Sequence, residues 1–467
     1  MAAVELAPVT TGGRWQRAAP WLIVALAFAL HAAWFNHPLQ VVFDEVYFPR
    51  MGMSYLDGSW YFDLHPPLAK LLLGSVAWLL GLDPSFSWAT NMLPFPDPAY
   101  ALLRLPVHAT GVLLPLVLYA IARELNLSVF AATVVGLLAA LDNALLTITR
   151  IAVTDGFLLL FGFGALWAYL RHQRSGSWWL LVAAALLAGA ALAVKWTGLS
   201  FIGLIGVMEL VRLWRERRPA GLARLALLGL LPAAVYVGSF ALHFALLDRV
   251  GREAPTGLSP AFMATLKGTA ESADPNQRRA GFVERLVEIH HVIVNTQRTL
   301  TARHPYASRW YDWPFMMRSV DYWAQYHPTT LSRIFLIGNP AVWWATGYAI
   351  LYLLVNFVPK LPALLTRTQP PPARFPELLV VGGYLANMLP FVPIERVMFL
   401  YHYLPALCFA LLGLGLLIDR CGRHARWVGV SLLVLAVAAF VYFAPLSYGL
   451  EMTREQFDAR FWLKGWK

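Results

Sequence analysis

Asp44 and Glu45 follow the first hydrophobic segment of the sequence. Asp63 and His65 come about twenty residues later, inside the stretch FDEVYFPRMGMSYLDGSWYFDLHPPLAKLL (43–72). A carboxylate at a boundary where water thins out is partly desolvated, so its pKa rises and it can accept a proton near neutral pH. Pro66 and Pro67 fix the chain direction just after His65. Acids on a short structured loop, with Arg and Lys beside them, suit one kind of reaction. A base removes the proton of a hydroxyl nucleophile while cations hold an anionic leaving group. Plainer readings exist for each residue: a helix cap or headgroup contact for Asp44 and Glu45, a turn for Asp63, and a satisfied structural histidine for His65.

Composition says where such a loop must work. Of the 467 residues, 58% are hydrophobic and 13% charged, and the mean hydropathy is +0.56. Soluble domains are about half apolar and a quarter charged, so this chain belongs in a bilayer. The net charge of +11 does not point to nucleic acid. Basic clusters such as RLWRERRPAGLARL (212–225), RTQPPPAR (367–374) and DRCGRHAR (419–426) lie between hydrophobic segments, as cytoplasmic loops do, and they attract anionic lipid heads. Two cysteines, Cys408 and Cys421, make no disulfide framework. No GxxxxGK[ST] loop, HExxH or CxxC is present, which removes ATP-driven transport by this chain alone and zinc hydrolysis of the usual kinds.

Spans are expected near 19–36, 102–122, 128–147, 153–170, 178–194, 198–213, 225–246, 341–358, 377–392, 398–418 and 427–446. Segment 67–82 is also apolar. If it crossed, every later basic linker would fall outside, against the positive-inside rule. It is therefore read as lying along the interface with Lys70 snorkelling. The result is an all-α integral membrane protein of about eleven spans, N-terminus cytoplasmic and C-terminus external, forming a single transmembrane domain over 1–467. Two external loops stand out: 37–101, amphipathic and carrying the acids, and 247–335, in which FVERLVEIHHVIVNTQRTL shows helical spacing. Asp44, Glu45, Asp63, His65, Arg104, Arg150, Asp155, Lys195, Arg396 and His402 then gather at the outer ends of the helices, and ionisable groups converging on one face mark a site. Glycosyl transfer from a lipid phosphate sugar would place its chemistry there, with the donor's tail in the bilayer and its sugar at the surface.

The same residues resemble a known family. FDEVYF…YFDLHPPLAKLL is similar to the first-loop signature of the protein O-mannosyltransferases, membrane glycosyltransferases of the GT-C fold. RIAVTDGFLLLF (150–161), AVKWTGL (193–199), HPYASRWYDWPFMMRSVDYW (304–323), IGNPAVWW (337–344) and RVMFLYHYLPAL (396–407) resemble further family segments, in the family's order. The resemblance implies an inverting transfer of mannose from a polyprenyl phosphate mannose donor to Ser/Thr hydroxyls of proteins, at the external face of a bacterial inner membrane. The 247–335 loop, at about ninety residues, lacks the β-trefoil domain of eukaryotic members, so the likeness is to bacterial ones.

By that resemblance Asp44 is the catalytic base and Glu45 positions acceptor or sugar. Asp63 and His65 hold sugar hydroxyls or the loop itself. Arg104 is the first candidate for the donor phosphate, with Lys195 and Arg396 as further ones. Asp155, Tyr401 and His402 line the same cavity. Trp196, Tyr403 and the aromatic-rich 310–323 stretch read as interface belt. The scheme requires no cofactor and no metal ligand set stands out. Two other functions fit the composition: a GT-C enzyme with another sugar or a lipid acceptor, such as the aminoarabinose–lipid A type, and a secondary transporter. A transporter should carry ionisable groups at mid-membrane and show repeated halves, neither of which is evident here.

Overall fold

The computed structural model describes residues 13–216, 219–251, 257–300, 303–357 and 375–467. Its first half is a run of helices: α1 (Arg14–Ala32), α2 (Phe48–Asp57), α3 (Leu68–Leu79), α4 (Leu105–Glu124), α5 (Val129–Ala140), α6 (Asn143–Ile148), α7 (Asp155–Ser175), α8 (Trp178–Val194), α9 (Leu199–Glu216) and α10 (Ala220–Leu246). Among the described residues, five helical segments are long and apolar enough to cross a membrane: Pro98–Glu124, Trp196–Glu216, Ala220–Leu246, Leu400–Arg420 and Gly422–Tyr448. Most are apolar all round, as lipid-embedded helices must be. Leu400–Arg420 is the central one, with nearly every residue of its last four turns buried.

Two expectations meet a different outcome. The span expected at 128–147 is two helices, because the buried Asp142 accepts the N–H of Leu145 and starts a new helix inside the apolar run. Segment 67–82 forms only the twelve-residue α3, about 18 Å long, and lies against α2. The two cross where Gly52 and Gly74 meet. A Cβ on Gly74 would stand 2.6 Å from the Gly52 carbonyl oxygen, so no side chain fits at 74 without moving backbone.

The fold is also not purely helical. Strands β1 (Val320–Tyr326), β2 (Thr330–Leu336) and β3 (Glu451–Thr453) make an antiparallel sheet in the order β1-β2-β3. Val320 pairs with Leu336 and Leu331 with Met452, with a bulge between Asp321 and Trp323. VDYWAQY and TLSRIFL are rich in β-branched and aromatic residues, which suits a half-buried pleated surface. Trp313, Tyr322, Trp323 and Tyr403 are buried in the core, so much of the expected aromatic belt is structural packing. The expected amphipathic helix is present at Phe282–Thr299 and buries Ile289 and Ile293.

Candidate active site

The site is built on one left-handed residue. Phe43 has φ +51, a conformation that costs a bulky side chain energy and persists only where its surroundings impose it. Here the imposition is visible. Asn91 Oδ1 accepts the Phe43 N–H at 3.1 Å, and its Nδ2 donates to the Tyr322 carbonyl at 2.9 Å. The Phe43 ring stacks on Tyr322, with centroids 4.0 Å apart. The 3₁₀ turn Phe43–Val46 that follows presents Asp44.

The half-buried carboxyl of Asp44 accepts no hydrogen bond among the described residues. Burial raises its pKa to about 7. Lys195 opposes the rise, while the carboxylates of Asp155 and Asp63 add to it. The result is a carboxylate poised to exchange a proton near neutral pH.

Glu45 and Arg104 serve differently from expectation. Glu45, 1% exposed, takes two parallel bonds from Arg104, at 2.8 and 2.7 Å. It also accepts the backbone N–H groups of Val42 and Ala152. Arg104 spends its other bonds on the carbonyls of Pro38 and Gln40. Four of its five N–H groups are thus committed inside the protein, on a side chain only 2% exposed. The pair clamps the first loop to the start of α4 and to the turn before α7.

Lys70 does not snorkel. It is fully buried and donates to Asp63 and to the carbonyls of His65 and Pro66, at 2.8 and 2.6 Å. All three of its protons hold the Asp-Leu-His-Pro-Pro corner closed. Burial pushes the Asp63 carboxyl up, but the Lys70 charge and the hydrogen bonds from Lys70 and the His65 backbone hold the pKa below the usual value. Burial lowers His65 to about 3. Asp63 favours its protonation, and the cations Lys195, Lys70 and Arg396 disfavour it. The ring is neutral there, able to donate and accept.

Asp155 opens α7 and Lys195 follows α8. The Lys195 Nζ lies 2.8 Å from both Asp155 oxygens and 5.4 Å over the Tyr401 ring. Arg396 forms no ion pair among the described residues, and its one hydrogen bond is a long one, 3.4 Å to the Val397 carbonyl. His402 stacks on Trp313 and Tyr401, with centroids 5.8 and 4.6 Å away. Of the residues singled out in the sequence, Asp44, Asp63, His65, Asp155, Lys195, Arg396, Tyr401 and His402 converge, close enough for their charges to act on one another. Glu45 and Arg104 stand behind them.

Sequence reasoning missed Tyr322 and Asn91. The Tyr322 hydroxyl is buried with no hydrogen-bond partner among the described residues, and Asp44, Asp155 and Tyr401 act on it. It sits in the predicted aromatic belt, where the strand that aims it was not foreseen. His290 bonds Tyr236, which in turn accepts the Trp196 indole N–H. Among the described residues, no three His, Cys, Asp or Glu side chains come together as a metal-binding group.

Comparison with known proteins adds the following. Residues 21–248 match the family described as dolichyl-phosphate-mannose-protein mannosyltransferase, and residues 282–466 match the C-terminal four TMM region of protein-O-mannosyltransferase. The chain is 26% identical over 453 residues to the polyprenol-phosphate-mannose--protein mannosyltransferase of Corynebacterium glutamicum, covering 86% of this chain and 81% of that protein. It is 33% identical over 274 residues to Protein O-mannosyltransferase 1 of Drosophila melanogaster, which is 55% of this chain and 31% of the fly protein. Several of the fly and yeast relatives are matched over only about a third of their length. The fold is that of the S. cerevisiae protein O-mannosyltransferase Pmt1-Pmt2 complex bound to the sugar donor, at a TM-score of 0.88 and 19% identity, covering 98% of this chain and 93% of that one. ArnT from Cupriavidus metallidurans, bound to undecaprenyl phosphate, is a more distant likeness, at 0.52 and 16% identity over 92% of this chain and 76% of that one.

Proposed function

The chain belongs to the dolichyl-phosphate-mannose-protein mannosyltransferase family, and from that premise we propose that it moves mannose from a polyprenyl phosphate carrier to Ser or Thr hydroxyls of proteins. The reaction takes place at the outer face of a bacterial inner membrane. In this reading Asp44 accepts the acceptor's hydroxyl proton. The oxygen attacks the anomeric carbon from the side opposite the phosphate, the carbon–phosphate-oxygen bond breaks, and the configuration inverts. The phosphate leaves with the bond's electron pair and needs no separate acid. Arg396, a half-buried cation with no anionic partner among the described residues, takes its charge, with Lys195 beside it. Asp155, His65 and Tyr401 border the sugar. Glu45, Arg104 and Lys70 hold the backbone that aims Asp44.

The single observation that carries this reading is the state of Asp44: half-buried, without a hydrogen-bond partner, and raised to about 7. The remaining acids that crowd it, Asp63 and Asp155, are held by lysines. The name of the Corynebacterium relative, a polyprenol-phosphate-mannose--protein mannosyltransferase, supports the donor class. A transfer assay with radiolabelled polyprenyl phosphate mannose and a Ser/Thr peptide tests it. Transfer of mannose that needs Asp44 is the expected result, and transfer only to a lipid acceptor, or only from another sugar donor, would overturn it.

A further inference from the structure

Beside the catalytic cluster lies a cleft of about 1150 Å³, larger than the roughly 300–1,000 Å³ of small-molecule pockets. It runs between the end of helix Phe282–Thr299, the 303–318 segment and the 393–398 segment. Arg298, Arg303, Arg309, Arg318 and Arg396 line it, and none of the five forms an ion pair among the described residues. Against them stand only Asp312, which accepts the Arg309 backbone N–H, and the exposed Glu395. Five cations against two carboxylates leave an excess of three positive charges. The cleft joins the proposed transfer site at two points. Arg396 belongs to both, and Trp196, which lines the cleft, is the chain neighbour of Lys195.

A lipid phosphate sugar brings one phosphate, and Arg396 with Lys195 already answers it. The other arginines need a different anion. Most are solvent-exposed and stand on connecting segments rather than on spanning helices, where an extended polypeptide can reach them and a buried acyl chain cannot. Resting on the function proposed above, we propose that this cleft receives the acceptor polypeptide and selects segments with Asp or Glu flanking the modified Ser or Thr. Fixed guanidinium groups read carboxylates by charge-assisted, often bidentate bonds. The cleft thereby sets which hydroxyl comes to Asp44.

The test uses the full chain in nanodiscs and a fluorescein-labelled Ser/Thr peptide in three versions, flanked by Glu, Gln or Lys. Anisotropy without donor should show the Glu peptide binding about tenfold or more tightly than the Gln peptide, with the difference shrinking as salt is added. Arg303→Gln/Arg309→Gln should abolish that preference while leaving Gln-peptide binding and melting temperature unchanged. Equal binding of the Glu and Gln peptides, or a preference that survives in the variant, would overturn the proposal. So would a variant that loses bound phosphatidylglycerol instead of peptide, since the occupant would then be a lipid headgroup. Because binding is read without donor, the two claims separate. Acid-selective binding without mannose transfer would sink the enzymatic reading alone, and mannose transfer without acid selectivity would sink the cleft alone.

Discussion

The carboxylate of Glu45 and the guanidinium of Arg104 face each other through two parallel bonds at 2.8 and 2.7 Å, both side chains almost wholly buried. Removing one partner strands the other charge in the interior. Glu45→Gln or Arg104→Met should therefore cost about 3–5 kcal/mol of stability, seen as a large fall in melting temperature. Arg104→Lys should rescue poorly, since an ammonium cannot reproduce the fork. A phosphate-binding Arg104 would behave otherwise, losing donor affinity at unchanged stability.

Asp44→Asn removes basicity at nearly constant shape. Transfer should fall by roughly 10²–10⁴. The wild-type rate should also fall as pH drops through about 7, because the base becomes protonated. Stability moves the other way. A carboxyl whose folded pKa lies above its unfolded value of 3.8 favours folding fully at low pH and loses that contribution as pH rises towards 7. The Asn variant should then melt at or above wild type at pH 8, with the gap closing near pH 4. A variant that melts lower at pH 8 would mark Asp44 as a cap instead.

Arg396→Gln should weaken binding of polyprenyl phosphate mannose by about tenfold or more, the worth of a charge-assisted bond, with little change in melting temperature because Arg396 has no anionic partner among the described residues to strand. Isothermal titration against the donor reads this directly. Lys195→Met is a different experiment, since it leaves Asp155 buried without its cation, and it should lower stability as well as affinity.

Tyr322→Phe separates packing from chemistry. Its hydroxyl is buried with no hydrogen-bond partner among the described residues, a state that costs free energy. The Phe variant should be as stable as wild type or more so. If the hydroxyl meets bound substrate, transfer should nevertheless slow by about tenfold, measured as kcat against melting temperature on the same preparation.

Much of this was legible in the sequence because charge is costly in a bilayer. Asp44, Asp63, Asp155, Lys195 and Arg396 stood out against an apolar background, and each converges on the site. What the sequence could not separate was a charge facing substrate from one consumed inside the protein. Arg104 and Lys70 are cations beside apolar helices as much as Lys195 is, and, besides Glu45 and Asp63, it is the carbonyls of Pro38, Gln40, His65 and Pro66 that show where their protons go. Those partners are backbone atoms, which have no sequence signature. The strands were hidden for a related reason. In VDYWAQY the aromatic residues that suit a pleated sheet also suit a membrane interface, and the pairing that decides between them comes from Leu336 and Met452, far along the chain.

That distant pairing sets an order of assembly. Tyr322 and the segment before it are made well before residues 451–466, yet β2 gains its second neighbour only from β3. The Trp466 carbonyl accepts the Ser319 hydroxyl, and the Trp466 indole donates to the Met316 carbonyl. Until residues 451–466 have emerged on the same side, β2, which pairs with the strand carrying Tyr322, waits with one edge open. A chain interrupted before residue 451 would already contain Asp44, Lys195 and Arg396. It should still be inactive, because β3 and the Trp466 contacts that brace the sheet beside Tyr322 would be missing.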